Sequence, residues 1–147
     1  MEQQIKRSFN TLLDKVSVIK FEEYGDQRGK LIAIESKSEI PFEIKRIFYI
    51  FGMNKTMVRG QHANRNSEFV LININGNSKV RVRDGFNEKV YELSQPSMGL
   101  YLPAMTWKDM YDFSSDSILL VLSNEYYDED EYIRDYDEFL KVVRGEA

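Results

Sequence analysis

The chain contains no cysteine. Disulfides, thiol nucleophiles and thiolate metal sites are therefore excluded, a composition compatible with the cytoplasm. It contains a single histidine, so any imidazole chemistry falls on one residue. Basic charge is not in excess: 20 Lys and Arg stand against 24 Asp and Glu, for a net charge of -4. No nucleic-acid footprint is expected from that balance, although a local basic patch can still hold a phosphate. No stretch approaches the roughly 18 apolar residues that a membrane helix needs. Met1 to Asn10 is polar and lacks the apolar run of a secretory signal. A soluble protein without a membrane partner is expected. A Gly-rich phosphate loop, a nucleophile elbow and a dinucleotide fingerprint are all missing. So are internal repeats, low-complexity tracts and linkers.

What is present reads as one β-rich unit. The 147 residues fit a single domain over 1–147, long enough to bury about two thirds of the unfolded surface. Apolar residues reach 42% and aromatics 13%, which is not a disordered composition. Residues 1–15 form an N-terminal extension, with a short apolar patch at Phe9 to Leu13 that predicts a brief helix. Val16, Val18 and Ile19 begin a strand, Tyr24 to Gly29 reads as a turn, and Leu31 to Glu35 as a strand. Ile44 to Phe51 is a strand ended by Gly52. Glu68 to Asn75 alternates, with Val70, Ile72 and Ile74 on one face. Gly76-Asn77 and Asp84-Gly85 are turn signals around the alternating Lys79 to Arg83. Val90 to Leu93, Gly99 to Leu102 and Ile118 to Ser123 complete the set. Short strands roughly every 8–12 residues predict an all-β sandwich or barrel. Beyond them, Tyr132, Ile133, Tyr136, Phe139, Leu140 and Val143 have helical spacing, which predicts a helix over 128–144. Acidic residues in its first turn and Lys141 and Arg144 in its last suit the macrodipole, and Gly145 follows as a stop.

The chemistry concentrates in Arg59-Gly60-Gln61-His62-Ala63-Asn64-Arg65-Asn66-Ser67-Glu68. A lone imidazole titrates near neutrality and is the commonest general base. His62 is thus either a base or a structurally satisfied histidine, and the neighbouring Arg59, Asn64 and Arg65 favour the first. Trp107 and Tyr111 either wall a sugar or base pocket or pack in the core. Arg28, Arg46, Arg59, Arg81 and Arg83 are candidates for a pyrophosphate, because guanidinium groups bind phosphate oxygens bidentately; the other reading of each is a solvated face.

The spacing of His62, Asn64 and Glu68 resembles the first cupin motif, in which two histidines and a glutamate hold a metal. Lys108 stands where the second cupin motif carries its third histidine. Protein metal sites use three or four strong donors, whereas this set would supply one imidazole, one carboxylate, an amide and a cationic ammonium. No metal is expected.

A family resemblance covers nearly the whole chain, from about Val18 to Phe139. Asp26-Gln27-Arg28-Gly29-Lys30-Leu31, Ile40-Pro41-Phe42 with Arg46 to Phe51, and Arg59-Gly60-Gln61-His62-Ala63 are similar to the sugar-nucleotide 3,4-ketoisomerases. Gly99 to Pro103, Trp107, Asp112 to Asp116, Tyr126-Tyr127-Asp128 and Tyr132 to Tyr136 are similar to the same family. The resemblance implies a cupin-type jelly roll, a double-stranded β-helix, with a C-terminal helix. It implies a homodimer with exchanged N-terminal strands, and neither metal nor cofactor. It implies a dTDP-linked 4-keto-6-deoxyhexose as substrate, on a route to an unusual surface-glycan or antibiotic sugar. His62 matches the first catalytic histidine of the family and Tyr49 its tyrosine; Arg28, Arg46, Arg59, Arg65, Trp107 and Tyr111 are assigned to the substrate. Two positions depart from the family: Asn64 replaces its second histidine and Lys108 its later one. An amide orients hydroxyls but relays no proton at neutral pH, so Lys108 or Tyr49 is left to share the work with His62. A non-catalytic sugar-nucleotide binder and an epimerase on the same scaffold are the competing readings.

Overall fold

The computed structural model describes residues 12–145. Most of the helix expected at Phe9 to Leu13 lies outside those residues; Leu12 and Leu13, its end, fall in a 3-10 turn at Leu12–Lys15. Two five-stranded antiparallel sheets face each other. The first has the order β1 (Ser17–Lys20), β9 (Met98–Leu102), β6 (Phe69–Asn75), β11 (Ile118–Ser123), β4 (Arg46–Phe51). The second has the order β12 (Tyr132–Ile133), β5 (Arg59–Asn64), β10 (Trp107–Tyr111), β7 (Ser78–Arg83), β8 (Glu88–Leu93). A small hairpin, β2 (Tyr24–Asp26) with β3 (Gly29–Leu31), stands apart.

Period-two alternation decides which side chains meet between the sheets. Phe69 and Leu71 of β6 pack there against Val80 and Val82 of β7, with Leu100, Leu102, Leu119 and Val121. The alternate residues Val70 and Ile72 point the other way and are equally buried, because Phe21, Ile40 and Phe42 from the segments flanking the hairpin cover them. Strand β6 is therefore apolar on both faces. Ile74 shares the face of Val70 and Ile72 but lies beyond this cover and is exposed.

Helix α1 (Tyr136–Arg144) closes the outer face of the second sheet. Phe139, fully buried, packs with Trp107, Ala63 and Ile133. The helix begins later than the spacing predicts. Asp135 is its N-cap, accepting from the backbone N–H groups of Asp137 and Glu138, and Gly145 ends it at φ 69°. Asp128 to Glu131 is not a helical first turn: Asp128 caps a 3-10 turn at Glu129–Glu131, and Tyr132–Ile133 then pairs with β5. Near the N-terminus, Tyr24 to Gly29 forms most of the hairpin rather than an isolated turn, and only Leu31 of the expected strand 31–35 is in a strand. No helix among the described residues is long and apolar enough to cross a membrane.

Candidate active site

Between the sheets, where the apolar core gives way to polar residues, lies a cavity of about 350 Å³. Strand β4 contributes Arg46, Phe48 and Ile50, and β5 contributes Arg59, Gly60 and His62. Phe69 and Leu71, Lys108 and Met110, Val121, and then Tyr127, Tyr132 and Arg134 complete the wall. Four of these side chains are cationic types and none is a carboxylate. Such a cavity favours an anionic ligand.

His62 is set by its own strand. The register between β5 and β10 shifts at Gln61, with Lys108 opposite His62 and Asp109 opposite Gly60. Gln61 is the extra residue of a β-bulge, at φ 58°, next to Gly60 at φ 86°. A Cβ at Gly60 would stand 2.9 Å from the Lys108 carbonyl oxygen and 3.0 Å from Met110 Cε, so only glycine fits. The Gly60 carbonyl accepts a hydrogen bond from His62 Nδ1 at 3.0 Å. A carbonyl can only accept, so the proton sits on Nδ1 and the lone pair on Nε2. The ring packs on Tyr132, with centroids 4.7 Å apart. Burial, and then the charge of Lys108, push the imidazole down to about 3, so it is neutral at physiological pH.

Lys108 is buried, and burial pulls its ammonium down to about 7 against the opposing pull of Glu131 and Asp109. Its Nζ donates to Asn64 Oδ1 at 3.1 Å and stands 4.9 Å from the centroid of the Phe69 ring. Near neutral pH this amine can both hold and release a proton. The arginines are held by aromatic faces: Arg46 lies 4.5 Å from the Phe48 centroid and 5.1 Å from that of Tyr127, and Arg134 lies 4.6 Å from that of Tyr132. Stacking fixes a guanidinium while leaving its N–H edge free for oxygen ligands.

Of the residues singled out from sequence, the cavity brings together His62, Lys108, Arg46 and Arg59. Asn64 is buried behind Lys108 rather than on the wall. The other assigned residues lie off this cavity. Tyr49 lies between two inward residues, Phe48 and Ile50; it faces outward, exposed, and stacks on Phe51. On β10, Lys108 and Met110 face inward, while Trp107, Asp109 and Tyr111 lie off the cavity wall. Trp107 is a packing residue beneath α1, against Tyr136 and Phe139. Arg28 sits on the exposed hairpin in an ion pair with Asp26 at 2.7 Å, and Arg65 faces Glu138 outside the cavity. Arg81 and Arg83 engage Asp109 on the outer face, in keeping with the reading that keeps them from the substrate. Glu68, the glutamate of the cupin-like spacing, also turns elsewhere: it accepts from the Tyr101 hydroxyl at 2.5 Å and from Asn124 Nδ2 at 3.1 Å.

Tyr127, Tyr132 and Arg134 were not anticipated as cavity residues. Helical spacing masked the short β12 that carries Tyr132. The signal available was the clustering of tyrosines and an arginine just after the last long strand.

Fold and cavity together define a cupin-type jelly roll that offers an anion a cationic chamber with a neutral imidazole in its wall. The family described as FdtA, WxcM-like, C-terminal matches residues 14–144. The TDP-4-oxo-6-deoxy-alpha-D-glucose-3,4-oxoisomerase of Aneurinibacillus thermoaerophilus is 44% identical over 126 residues, spanning 86% of this chain and 91% of that protein. Among solved structures, a 3,4-ketoisomerase from Helicobacter canadensis matches with a TM-score of 0.86 at 44% identity, covering 88% of this chain and 97% of that one. An Asn-for-His variant of the 3,4-ketoisomerase QdtA from Thermoanaerobacterium thermosaccharolyticum, in complex with TDP-4-keto-6-deoxyglucose, matches with a TM-score of 0.86 at 42% identity, covering 88% and 94%. The chain belongs to this FdtA family of sugar-nucleotide 3,4-ketoisomerases and is an isomerase.

Proposed function

We propose that the chain moves the carbonyl of a dTDP-linked 4-keto-6-deoxyhexose from C4 to C3, with His62 as the base. The observation that carries this reading is the Nδ1–H bond to Gly60, which leaves Nε2 unprotonated on the cavity wall. The hydrogen on C3 is acidic because C4 is a ketone. His62 Nε2 takes it, the C–H electron pair forms the C3–C4 double bond, and the C4 oxygen gains a proton to give an enediol. The C3 hydroxyl then loses its proton, C3 becomes the carbonyl, and C4 receives a hydrogen. Atoms and electrons balance within the substrate, so proton transfer alone completes the reaction. Lys108 stabilises and protonates the C4 oxygen, and Asn64 orients Lys108 through its Oδ1. Arg46, Arg59 and Arg134 hold the diphosphate. Tyr49, Arg28, Arg65, Trp107 and Tyr111 have no part in this scheme.

The test is NMR of the 4-keto substrate, generated in place, with the protein in heavy water. A 3-keto product with deuterium at C4 is expected. Deuterium at C5 with the 4-ketone retained would make the chain an epimerase. Unchanged substrate in the presence of dTDP binding would make it a binder.

The same proposal places the enzyme in the cytoplasm, on a route to an unusual deoxysugar of a surface glycan, and as a homodimer with exchanged N-terminal strands. Ile47, Tyr49 and Phe51 form an exposed apolar row on the outer face of β4, which favours a second copy. Strand β1 occupies a sheet edge on β9, a place that a partner's strand could take by exchange. Light scattering is expected to give twice the 17.3 kDa chain mass; a monomer mass at micromolar concentration would remove this part of the proposal.

A further inference from the structure

Glu131 and Lys108 are buried groups of opposite charge type, and neither forms an ion pair among the described residues. Glu131 ends the 3-10 turn before β12 and is 4% exposed. Its carboxylate accepts from the backbone N–H of Asn66 at 2.7 Å, from that of Ser67 at 2.8 Å, and from the Ser67 hydroxyl. All of these donors are neutral, so they satisfy its oxygens and leave its charge uncompensated. Its backbone carbonyl accepts from Arg65 N–H at 3.0 Å, so Glu131 fastens the turn that follows β5.

Lys108 has the complementary problem. It is also 4% exposed, and its ammonium has one hydrogen bond, to Asn64 Oδ1. Asp109, its chain neighbour, is taken up by Arg81 and Arg83 on the other face of the strand. Asn64 stands between the two charges. It immediately precedes the turn that Glu131 fastens and pairs with Tyr132, the residue after Glu131. Its Nδ2 makes no well-formed hydrogen bond, yet the amide is near enough to Glu131 to help keep that carboxyl ionised.

We propose that Glu131 is a positioning residue for the isomerase reaction: it is the counter-charge of Lys108, acting across the Asn64 amide, and it sets the pH range over which Lys108 donates a proton. The surroundings of Lys108 make the role specific. His62, Arg46, Arg59 and Arg134 line the same cavity, and none of them supplies a negative charge to the ammonium. Glu131 and Asp109 favour it, Glu131 more strongly. In a dry interior a carboxylate acts over several ångströms without touching its partner. Without Glu131 only Asp109, already engaged by Arg81 and Arg83, would oppose the effect of burial, and the ammonium would give up its proton below neutral pH. The amine would then have no proton to deliver to the C4 oxygen.

The experiment is Glu131→Gln in the full chain, which keeps shape and removes charge. The Lys108 Cε signal is followed by NMR across pH and assigned by its loss in Lys108→Met. Its midpoint is expected to fall by about one pH unit or more, and the alkaline limb of kcat to move down with it while KM holds. Ser67→Ala removes one donor from the carboxylate but keeps the charge, and should leave the midpoint where it is. An unmoved midpoint in Glu131→Gln, or an equal shift in Ser67→Ala, overturns the proposal. Should Glu131→Gln fail to fold, the double variant Glu131→Gln/Lys108→Met is expected to fold, since neither charge remains; a double variant as unfolded as the single one also overturns it. This inference rests on the ketoisomerase reading for its kinetic arm only. The titration needs no turnover, so an inactive chain with a shifted Lys108 would defeat the reaction assignment and leave the electrostatic one standing.

Discussion

Replacing His62 with Asn is expected to lower kcat by about a thousandfold, within the range that a positioned base contributes, while dTDP affinity changes little. The imidazole presents Nε2 to the cavity because Gly60 holds Nδ1–H. An asparagine at this place keeps a polar group of modest size but offers no lone pair that takes a proton at neutral pH. The arginines proposed to hold the diphosphate are untouched, so binding and turnover separate cleanly. Titration calorimetry with dTDP and the heavy-water NMR assay would read the two quantities. A variant with full turnover would show that another group removes the C3 proton. The chain has one histidine, so its imidazole signals need no assignment. They should report the Nδ1–H tautomer, with the ring still neutral at pH 5, because burial and Lys108 hold it down to about 3.

Lys108→Met should produce the largest change in stability with pH. In the folded chain the ammonium is pulled down to about 7, from an ordinary value of 10.5, chiefly by burial. Below pH 7 the lysine is charged in both states, and the folded state carries the cost of a desolvated cation. Between 7 and 10.5 the unfolded chain binds a proton that the folded chain does not, so stability rises with pH across that window. The full span is worth at most about 5 kcal/mol at roughly 1.4 kcal/mol per pH unit. Methionine has the length and no charge. The variant should therefore melt several degrees above the parent at pH 6, and the gap should close toward pH 10. Thermal melts of both proteins across that range decide it: a gap independent of pH would mean that the amine is not desolvated as described. Turnover of the variant should fall about a hundredfold, because the C4 oxygen loses its proposed proton donor.

The strands with apolar alternation were legible in the sequence. Those from 46–51, 69–75, 78–83, 88–93, 98–102 and 118–123 all coincide with runs of Val, Ile, Leu or aromatic residues. Strands β5 and β10 were not, for the reason that makes them useful: their inward residues line the cavity, so Gly60, His62 and Lys108 replace the expected aliphatic residues. The helix is shorter than the 128–144 that spacing predicts, because Tyr132 and Ile133 fall at helical spacing from Tyr136 only by coincidence. Glu131, among acidic neighbours, looked like a solvated first-turn residue and is instead buried. At the site, parity along a strand would have been enough to separate Lys108 from Trp107 and Tyr111, and Arg46 from Tyr49. Resemblance alone ignores parity. The place of Asn64 behind Lys108 depends on a contact between two strands, β5 and β10, far apart in sequence, and no local pattern encodes it.

The far wall of the chamber, Tyr127, Tyr132 and Arg134, comes from one uninterrupted stretch after the last long strand. The barrel supplies His62 and Lys108, the residues proposed to handle protons, from β5 and β10, anchored by ladder pairing. Reaction and recognition therefore meet in that stretch, which also carries Glu131 and, through Tyr132, packs on the His62 ring. A lineage that rewrote 127–134 to accept another hexose would have to keep Glu131 and the contact to His62. An engineer exchanging that passage between relatives as a cassette would carry the proposed counter-charge of Lys108 along with the shape of the wall.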